Sequence, residues 1–278
     1  MSADDRHIVV DGFRLHLLDW GGDGPALLLL HGGALNAHTW DPVCANLRDR
    51  YRCLALDQRG HGDSEWSPGL DYGLDAHLRD IAGLVDALQL ERVVVVGQSL
   101  GAMNGLLYAT TQPERVVGLA MIDAGPWVQP RGAGRIAEFM LSEPELPSIE
   151  DFVQRAHRFN PRREPAQLRK TLVHSLRPLP SGGWTWKYDR RHLTRERFEI
   201  FRSELGALAE RLPEVACPVL VVRGEESDVF SAADAKRLAA RLPDARVVLV
   251  PGAGHTVQGD NPGALAAELR DFAESVLP

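Results

Sequence analysis

Short apolar runs alternate along the chain with longer segments whose apolar residues recur at helical spacing, a pattern that predicts a mostly parallel sheet covered by helices. Two runs, ALLLL and VVVV, are apolar at every position, which is typical of central strands covered on both faces. The pattern therefore predicts a doubly wound α/β fold. The predicted strands are HIVV, RLHLLDW, ALLLLHG, YRCLALD, RVVVVG, VVGLAMID, PVLVVRG and ARVVLVPG.

The pattern changes between residues 126 and 212, where Pro, Arg and aromatic residues surround weakly periodic stretches such as IEDFVQRAHRF. The strand pattern returns at PVLVVRG, so this segment lies between two strands of the core. We predict an α/β core formed by residues 1–125 and 213–278, with a mostly helical cap, residues 126–212, inserted into it.

Composition and charge narrow the class of partner. A net charge of −7 gives no basic surface for nucleic acid, and no apolar stretch is long enough to span a bilayer. We expect a small-molecule substrate, no nucleic acid and no membrane, and we leave open whether the chain forms a homodimer.

Cysteine usage and the N-terminus bear on the compartment. Cys44, Cys53 and Cys217 form an odd, scattered set without CxxC spacing, which indicates neither a disulfide framework nor a zinc site. The first residues are acidic and lack the basic start and apolar core of a secretory signal. We therefore expect a cytoplasmic protein.

The segment VVVVGQSLGAMNGLLYA carries the sharpest chemical signal. An apolar strand runs into Gly97-Gln98-Ser99-Leu100-Gly101 and then into a helix, which is the context of a nucleophile elbow. Glycines are needed where a tight strand-to-helix turn leaves no room for side chains. The motif predicts Ser99 as the nucleophile, at the positive end of the following helix.

A second glycine-rich turn follows the strand ALLLL, at His31-Gly32-Gly33. Such a turn leaves backbone N–H groups free to face a ligand, and two donors of this kind stabilise a developing oxyanion. We predict that the N–H groups of Gly33 and Leu100 form the oxyanion hole.

The segment VVLVPGAGHTV places His255 in a loop directly after the last predicted strand. A neutral imidazole there could take the Ser99 proton and return it to a leaving group. Among ten histidines, His255 is therefore the predicted base.

Two carboxylates could orient His255, and the residue pattern does not decide between them. Asp123 and Asp228 both follow predicted strands, and both satisfy the chain order nucleophile, acid, histidine. The usual place of the acid, three residues past the glycine of the seventh strand, is taken by Ser227. We favour Asp123 and keep Asp228 as the alternative.

Together these motifs resemble the α/β-hydrolase superfamily over the whole chain, with a looser match in the cap. More narrowly, DQRGHG, VGQSLGAMN and VVRGEESDVFSAA resemble a branch that includes (acetamidomethylene)succinate hydrolase and lies near the C–C hydrolases of ring-cleavage products. In that branch the acid follows the sixth strand, which also favours Asp123, although this chain departs from the branch in keeping Asp228.

The resemblance implies a serine hydrolase that cleaves an ester, lactone, amide, enamide or C–C bond through an acyl-enzyme. No metal or organic cofactor is expected, because no ligand cluster or phosphate-binding loop is present in the sequence. The alternatives are a cofactor-free dioxygenase with a His–Asp base, a catalytically silent ligand-binding protein, and an acyl transferase. Oxygen uptake would reveal the first, and an intact nucleophile and base argue against the second.

Substrate specificity is expected to come from the cap and from the elbow. Aromatic walls with nearby guanidinium groups suit a small apolar or carboxylate-bearing substrate. The candidate contact residues are Gln98, Trp127, Trp184, Trp186, Tyr188 and Arg190.

Overall fold

The structure, a computed structural model, describes residues 3–277. The core contains eight strands: β1 (Asp4–Val10), β2 (Phe13–Asp19), β3 (Ala26–Leu30), β4 (Arg52–Asp57), β5 (Val93–Gln98), β6 (Val116–Ile122), β10 (Val219–Gly224) and β11 (Ala245–Val250). They form one sheet in the order β1-β2-β4-β3-β5-β6-β10-β11. Only β2 pairs antiparallel, with β1 and with β4, and the remaining pairs are parallel. All eight predicted strands are confirmed.

Helices cover both faces of this sheet. The core helices are α1 (Asp41–Leu47), α2 (Leu74–Ala87), α3 (Leu100–Thr111), α8 (Ala232–Ala239), α9 (Val257–Asp260) and α10 (Pro262–Val276). Helices α2, α3 and α8 bury their apolar side chains in one cluster, and α1, α9 and α10 bury theirs in a second cluster on the opposite face. The predicted doubly wound arrangement is therefore confirmed. Strands covered on both faces can be apolar at every position, as the fully buried β3 is.

The chain between β6 and β10 forms four helices and a small second sheet. These elements are α4 (Pro130–Leu141), β7 (Glu145–Leu146), α5 (Ile149–Phe159), α6 (Pro165–Ser175), β8 (Leu176–Pro178), β9 (Trp184–Trp186) and α7 (Arg195–Glu210). We call residues 126–212 the inserted segment. It has its own apolar cluster, which includes Phe152, Leu172 and Trp186. The antiparallel sheet β7-β9-β8 was not predicted, because strands of two or three residues are too short to show a period.

Polar contacts join the inserted segment to the loop after β4. Tyr72 donates from its hydroxyl to Asp189 Oδ2 at 2.5 Å, and Asp189 N donates to Gly60 O at 2.7 Å. The Asp189 side chain is fully buried. Burial opposes its ionisation, but hydrogen bonds from Arg191 and Tyr72 outweigh that effect and lower the pKa of Asp189. This side of the inserted segment is thus held by charged hydrogen bonds as well as by apolar packing.

No helix within residues 3–277 combines the length and the apolar character that crossing a membrane requires.

Candidate active site

Ser99 lies at the turn between β5 and α3, with φ 51° and ψ −116°. This is a strained conformation for a residue with a side chain. The turn is tight enough to require its two glycines: a Cβ on Gly97 would lie 2.3 Å from Gly101 O, and a Cβ on Gly101 would lie 2.2 Å from Leu30 O. The backbone of this turn thus has the form expected for a nucleophile elbow.

His255 lies in the loop between β11 and α9, and its ring faces the end of β6. Its Nδ1 is 2.8 Å from Asp123 Oδ2, a hydrogen bond that joins residues 132 positions apart in the sequence. The His255 side chain is 16% exposed, whereas that of Asp123 is fully buried. With Nδ1 donating to the carboxylate, Nε2 is the ring nitrogen left to accept a proton.

Two further donors surround the buried Asp123 carboxylate. Gly224 N donates to Oδ1 at 3.0 Å, and the Ser227 hydroxyl donates to Oδ2 at 2.5 Å. A buried carboxylate needs such partners, because an unpaired one would cost several kcal/mol in lost solvation. Both donors come from the end of β10 and the loop that follows it, so β10 positions the carboxylate at the end of its neighbour β6.

Asp228, the alternative acid, faces away from His255. Its carboxylate forms an ion pair with Arg135 of α4 and remains 39% exposed. Within residues 3–277 it has no hydrogen bond to His255. One residue further along the chain than Ser227 is enough to turn the side chain out of the site.

Ser99 Oγ and His255 Nε2 are not hydrogen-bonded to each other in the described part of the chain. Instead, Gln98 Nε2 lies 3.3 Å from His255 Nε2 and donates to His255 O at 3.1 Å. Gln98 is almost fully buried, and its Oε1 has no hydrogen-bond partner among residues 3–277. Hydrogen bonds between a nucleophile and its base are often loose in a site without substrate. Gln98 is therefore the side chain that contacts the proton-accepting edge of the imidazole.

Gly33 and Leu100, the predicted oxyanion-hole residues, line the same cavity as Ser99. Leu100 is the first residue of α3, where N–H groups have no partner within the helix. A Cβ on Gly33 would meet no atom within 4 Å, so this side of the turn is open. Neither N–H has an acceptor among the hydrogen bonds of residues 3–277. Both donors are therefore unused within the described residues, as the donors of an oxyanion hole would be.

A cavity of about 320 Å³ opens at Ser99 and His255, between the core and the inserted segment. Two of its histidines are buried and uncharged at neutral pH: burial lowers the pKa of His61 to about 4 and that of His77 well below 6.5. Most of its wall is apolar, and the larger side chains of the inserted segment that line it include Ile136, Phe139, Met140, Phe159, Leu168, Leu172, Trp186, Phe198 and Phe201.

The structure places two of the six candidate contact residues, Gln98 and Trp186, on the cavity wall. The other four do not line the cavity, because each contacts another group of the protein. Trp127 lies under Arg237, at 3.8 Å from ring centroid to guanidinium carbon, and Trp184 packs on the inserted segment's own apolar cluster. Tyr188 donates to Met140 O, and Arg190 donates to Ser142 O.

Sequence reasoning missed most of the cavity wall. Phe139, Phe159 and Phe201 carry no motif, and only the packing of the inserted segment on the core brings them to Ser99. Arg163 was missed as well, since nothing in the stretch NPRREP separates it from Arg162. Helical periodicity could have placed Phe139 and Phe159 on the apolar faces of α4 and α5, but it could not have told that these faces line a cavity.

Among the described residues, one group has ligand atoms close enough to hold a metal ion: His16, Asp57 and Asp63. The protein already uses these atoms. His16 Nδ1 is 2.7 Å from Asp57 Oδ2, and Ala37 N donates to Asp57 Oδ1 at 2.6 Å. Asp63 pairs with Lys187 of the inserted segment. The group acts as a hydrogen-bonded support for the loop after β4.

Comparison with known proteins gives a consistent result. A profile of the alpha/beta hydrolase fold matches residues 25–262. An esterase of Mycobacterium tuberculosis is 32% identical over 96% of this chain and 88% of its own length. A 2-(acetamidomethylene)succinate hydrolase of Mesorhizobium japonicum is 30% identical over 91% of this chain and 90% of its own. The crystal structure of an E-2-(acetamidomethylene)succinate hydrolase superposes with a TM-score of 0.88 at 27% identity, covering 98% of this chain and 99% of the other. The chain therefore belongs to the α/β-hydrolase fold family.

Proposed function

We propose that the protein is a serine hydrolase that cleaves a small-molecule carbonyl compound, an ester in the simplest case, through an acyl-enzyme on Ser99. The observation that carries the proposal is the 2.8 Å contact between His255 Nδ1 and Asp123 Oδ2 beside a cavity that Ser99 also lines. An imidazole held by a buried carboxylate next to an elbow serine is the arrangement that activates a hydroxyl for nucleophilic attack. The esterase and hydrolase activities named for the relatives are in keeping with this chemistry.

In the proposed mechanism, the Ser99 hydroxyl attacks the substrate carbonyl carbon while His255 Nε2 takes its proton. Asp123 holds the ring with Nδ1 protonated and stabilises the imidazolium. The N–H groups of Gly33 and Leu100 stabilise the oxyanion, each contributing about 3 kcal/mol to the transition state. His255 then gives its proton to the leaving group, and a water molecule, activated by the same imidazole, releases the acid from Ser99.

Gln98 must yield in this mechanism, because its amide contacts the His255 nitrogen that receives the Ser99 proton. The ring would turn towards Ser99, and the Gln98 amide would then keep its second acceptor, His255 O. We assign Gln98 the role of positioning the His255 ring and Trp186 that of a wall against the acyl or leaving group.

A fluorophosphonate probe and p-nitrophenyl acetate test the proposal directly. We expect the wild-type protein to be labelled and to hydrolyse the ester, and Ser99→Ala and His255→Ala to do neither. Ser275→Ala, the same chemical change on the outer helix α10, is the matched control and should behave as wild type. A wild-type protein that neither labels nor turns over would exclude an activated serine. Oxygen uptake with an aromatic substrate would then support the cofactor-free dioxygenase. No oxygen uptake would support the catalytically silent ligand-binding protein.

A further inference from the structure

The charged side chains that line the cavity are all cations. Two cations, Arg163 and Arg197, line it, and no carboxylate does so among the described residues. Arg197 already has partners within the protein: its Nη2 lies 3.0 Å from Glu204 Oε2 and donates to Tyr72 O at 2.7 Å. Arg163 is the cavity cation for which a partner is to be sought.

Arg163 has no ion pair within residues 3–277. Its one side-chain hydrogen bond is a long contact of 3.4 Å from Nη2 to Thr171 Oγ1, and its buried Nε has no partner. Asp260 is near enough to affect it electrostatically, but that carboxylate accepts hydrogen bonds from Asn160 and Gly254 instead. Burial lowers the pKa of Arg163, yet a guanidinium stays protonated in proteins. A charge is therefore left in a largely apolar cavity with most of its donors unused, which is costly without a ligand.

The position of Arg163 relates it to the proposed base. It lies in the loop between α5 and α6, and its Nη1 is 2.9 Å from the place that a Cβ on Gly259 would occupy. Gly259 N in turn bonds to Thr256 O, next to His255 in the chain. The guanidinium thus packs against α9, the helix that follows His255, and lines the cavity together with Thr256 and Asn160.

We propose that Arg163 binds a carboxylate of the substrate, and that the preferred substrates are monoanionic acyl compounds whose remaining surface is apolar. That the bound compound is a substrate rests on the proposed function. That it carries a carboxylate rests on the cavity alone. A planar guanidinium with free donors matches a carboxylate better than any neutral group. One unpaired guanidinium against an apolar wall favours one charge over two, since a second carboxylate would have no free cation to meet.

Two esters that differ in the charge of the distal carboxyl group provide the kinetic test: mono-p-nitrophenyl adipate, with a free carboxylate, and its methyl-capped form, which is uncharged and larger by one methyl group. We expect the wild-type enzyme to prefer the anion in kcat/KM. Arg163→Gln should lower kcat/KM for the anion by at least about tenfold, the usual worth of a charge-assisted hydrogen bond, and change the capped ester less than about twofold. Arg163→Lys should recover part of the loss. Arg162→Gln removes a neighbouring guanidinium that lies outside the cavity wall and is paired with Glu226, and should change neither ester.

Equal losses for both esters in Arg163→Gln would overturn the inference, because they would show that Arg163 only joins α9 to the inserted segment. A wild-type preference for the capped ester would overturn it as well. A second readout separates this inference from the proposed function: calorimetric binding of monomethyl adipate and dimethyl adipate to the Ser99→Ala protein. If Arg163→Gln in that background weakens binding of the monoester alone, the carboxylate site stands even where no ester is hydrolysed. If it weakens neither or both, the site is refuted whatever the enzyme does.

Discussion

The Ser227 hydroxyl donates to the oxygen of Asp123 that also receives the His255 N–H, at 2.5 Å. The direction is set by its surroundings, since Ser227 Oγ itself accepts the N–H groups of Val229 and Phe230. Ser227 occupies the place after β10 where the acid of this fold usually stands. In this chain the residue at that place, Ser227, donates a hydrogen bond to Asp123, which follows the neighbouring strand β6.

Moving the carboxylate to Ser227 should therefore restore part of the activity lost at Asp123. We expect Asp123→Asn/Ser227→Asp to exceed Asp123→Asn by at least about tenfold in kcat, because the new carboxylate starts within hydrogen-bonding distance of the old one. Asp123→Asn/Ser227→Asn, which has the same size but no charge, is the control. Equal rates for the two double variants would mean that a carboxylate at 227 does not reach His255.

Neutralising Asp123 should lower kcat far more than neutralising Asp228. Asp123→Asn is expected to lower kcat on the order of 10⁴-fold, since an amide can stabilise the wrong imidazole tautomer. Asp228→Asn should stay within about twofold, because it breaks only a partly exposed pair with Arg135. Initial rates with p-nitrophenyl acetate, with circular dichroism as a check of folding, measure both. A large loss in Asp228→Asn with an intact fold would contradict the assignment.

A negative charge introduced at position 98 should change the pH at which the enzyme becomes active. In Gln98→Glu a carboxylate would lie where the amide now contacts His255 Nε2, and a negative charge there favours the protonated imidazole, which cannot act as base. We expect the acid limb of the kcat/KM profile to move to higher pH by about one unit. Gln98→Met, similar in size and uncharged, should leave the limb in place. An unchanged limb in Gln98→Glu would show that residue 98 does not contact the working base.

Stability should fall as the pH is lowered, partly because of His61. Burial lowers its pKa from 6.5 to about 4, so between these values the unfolded chain binds a proton that the folded chain does not. The contribution of His61 to the free energy of unfolding is fully present above pH 6.5 and is lost as the pH falls towards 4, a change of about 3 kcal/mol. We expect His61→Gln to flatten the fall in the free energy of unfolding between pH 7 and 4, as measured with urea. His7→Gln, on an exposed strand residue, is the control, and identical slopes in wild type and His61→Gln would disprove the expectation.

The sequence carried the parts of the molecule that depend on local pattern. Strands as apolar as β3 and β5, and the glycine-flanked turn around Ser99, leave signals within a few residues. The distance from His255 to Asp123 depends on how β6, β10 and β11 lie side by side, which no local pattern states; this is why Asp228 could not be set aside beforehand. Arg163 depends on still more, namely the packing of the inserted segment on α9.

The apolar cluster of the inserted segment shares no residue with the two clusters that flank the sheet. Substitutions of the cavity-lining side chains of α4, α5 and α6 should thus reshape this side of the cavity and leave the two clusters that flank the sheet unchanged. Effects at separate clusters tend to add rather than to interfere. Selection can therefore change the substrate preference while Ser99, His255 and Asp123 keep their positions. A mutant library confined to the cavity-lining side chains of these three helices should yield altered substrate preferences with little loss of folded protein.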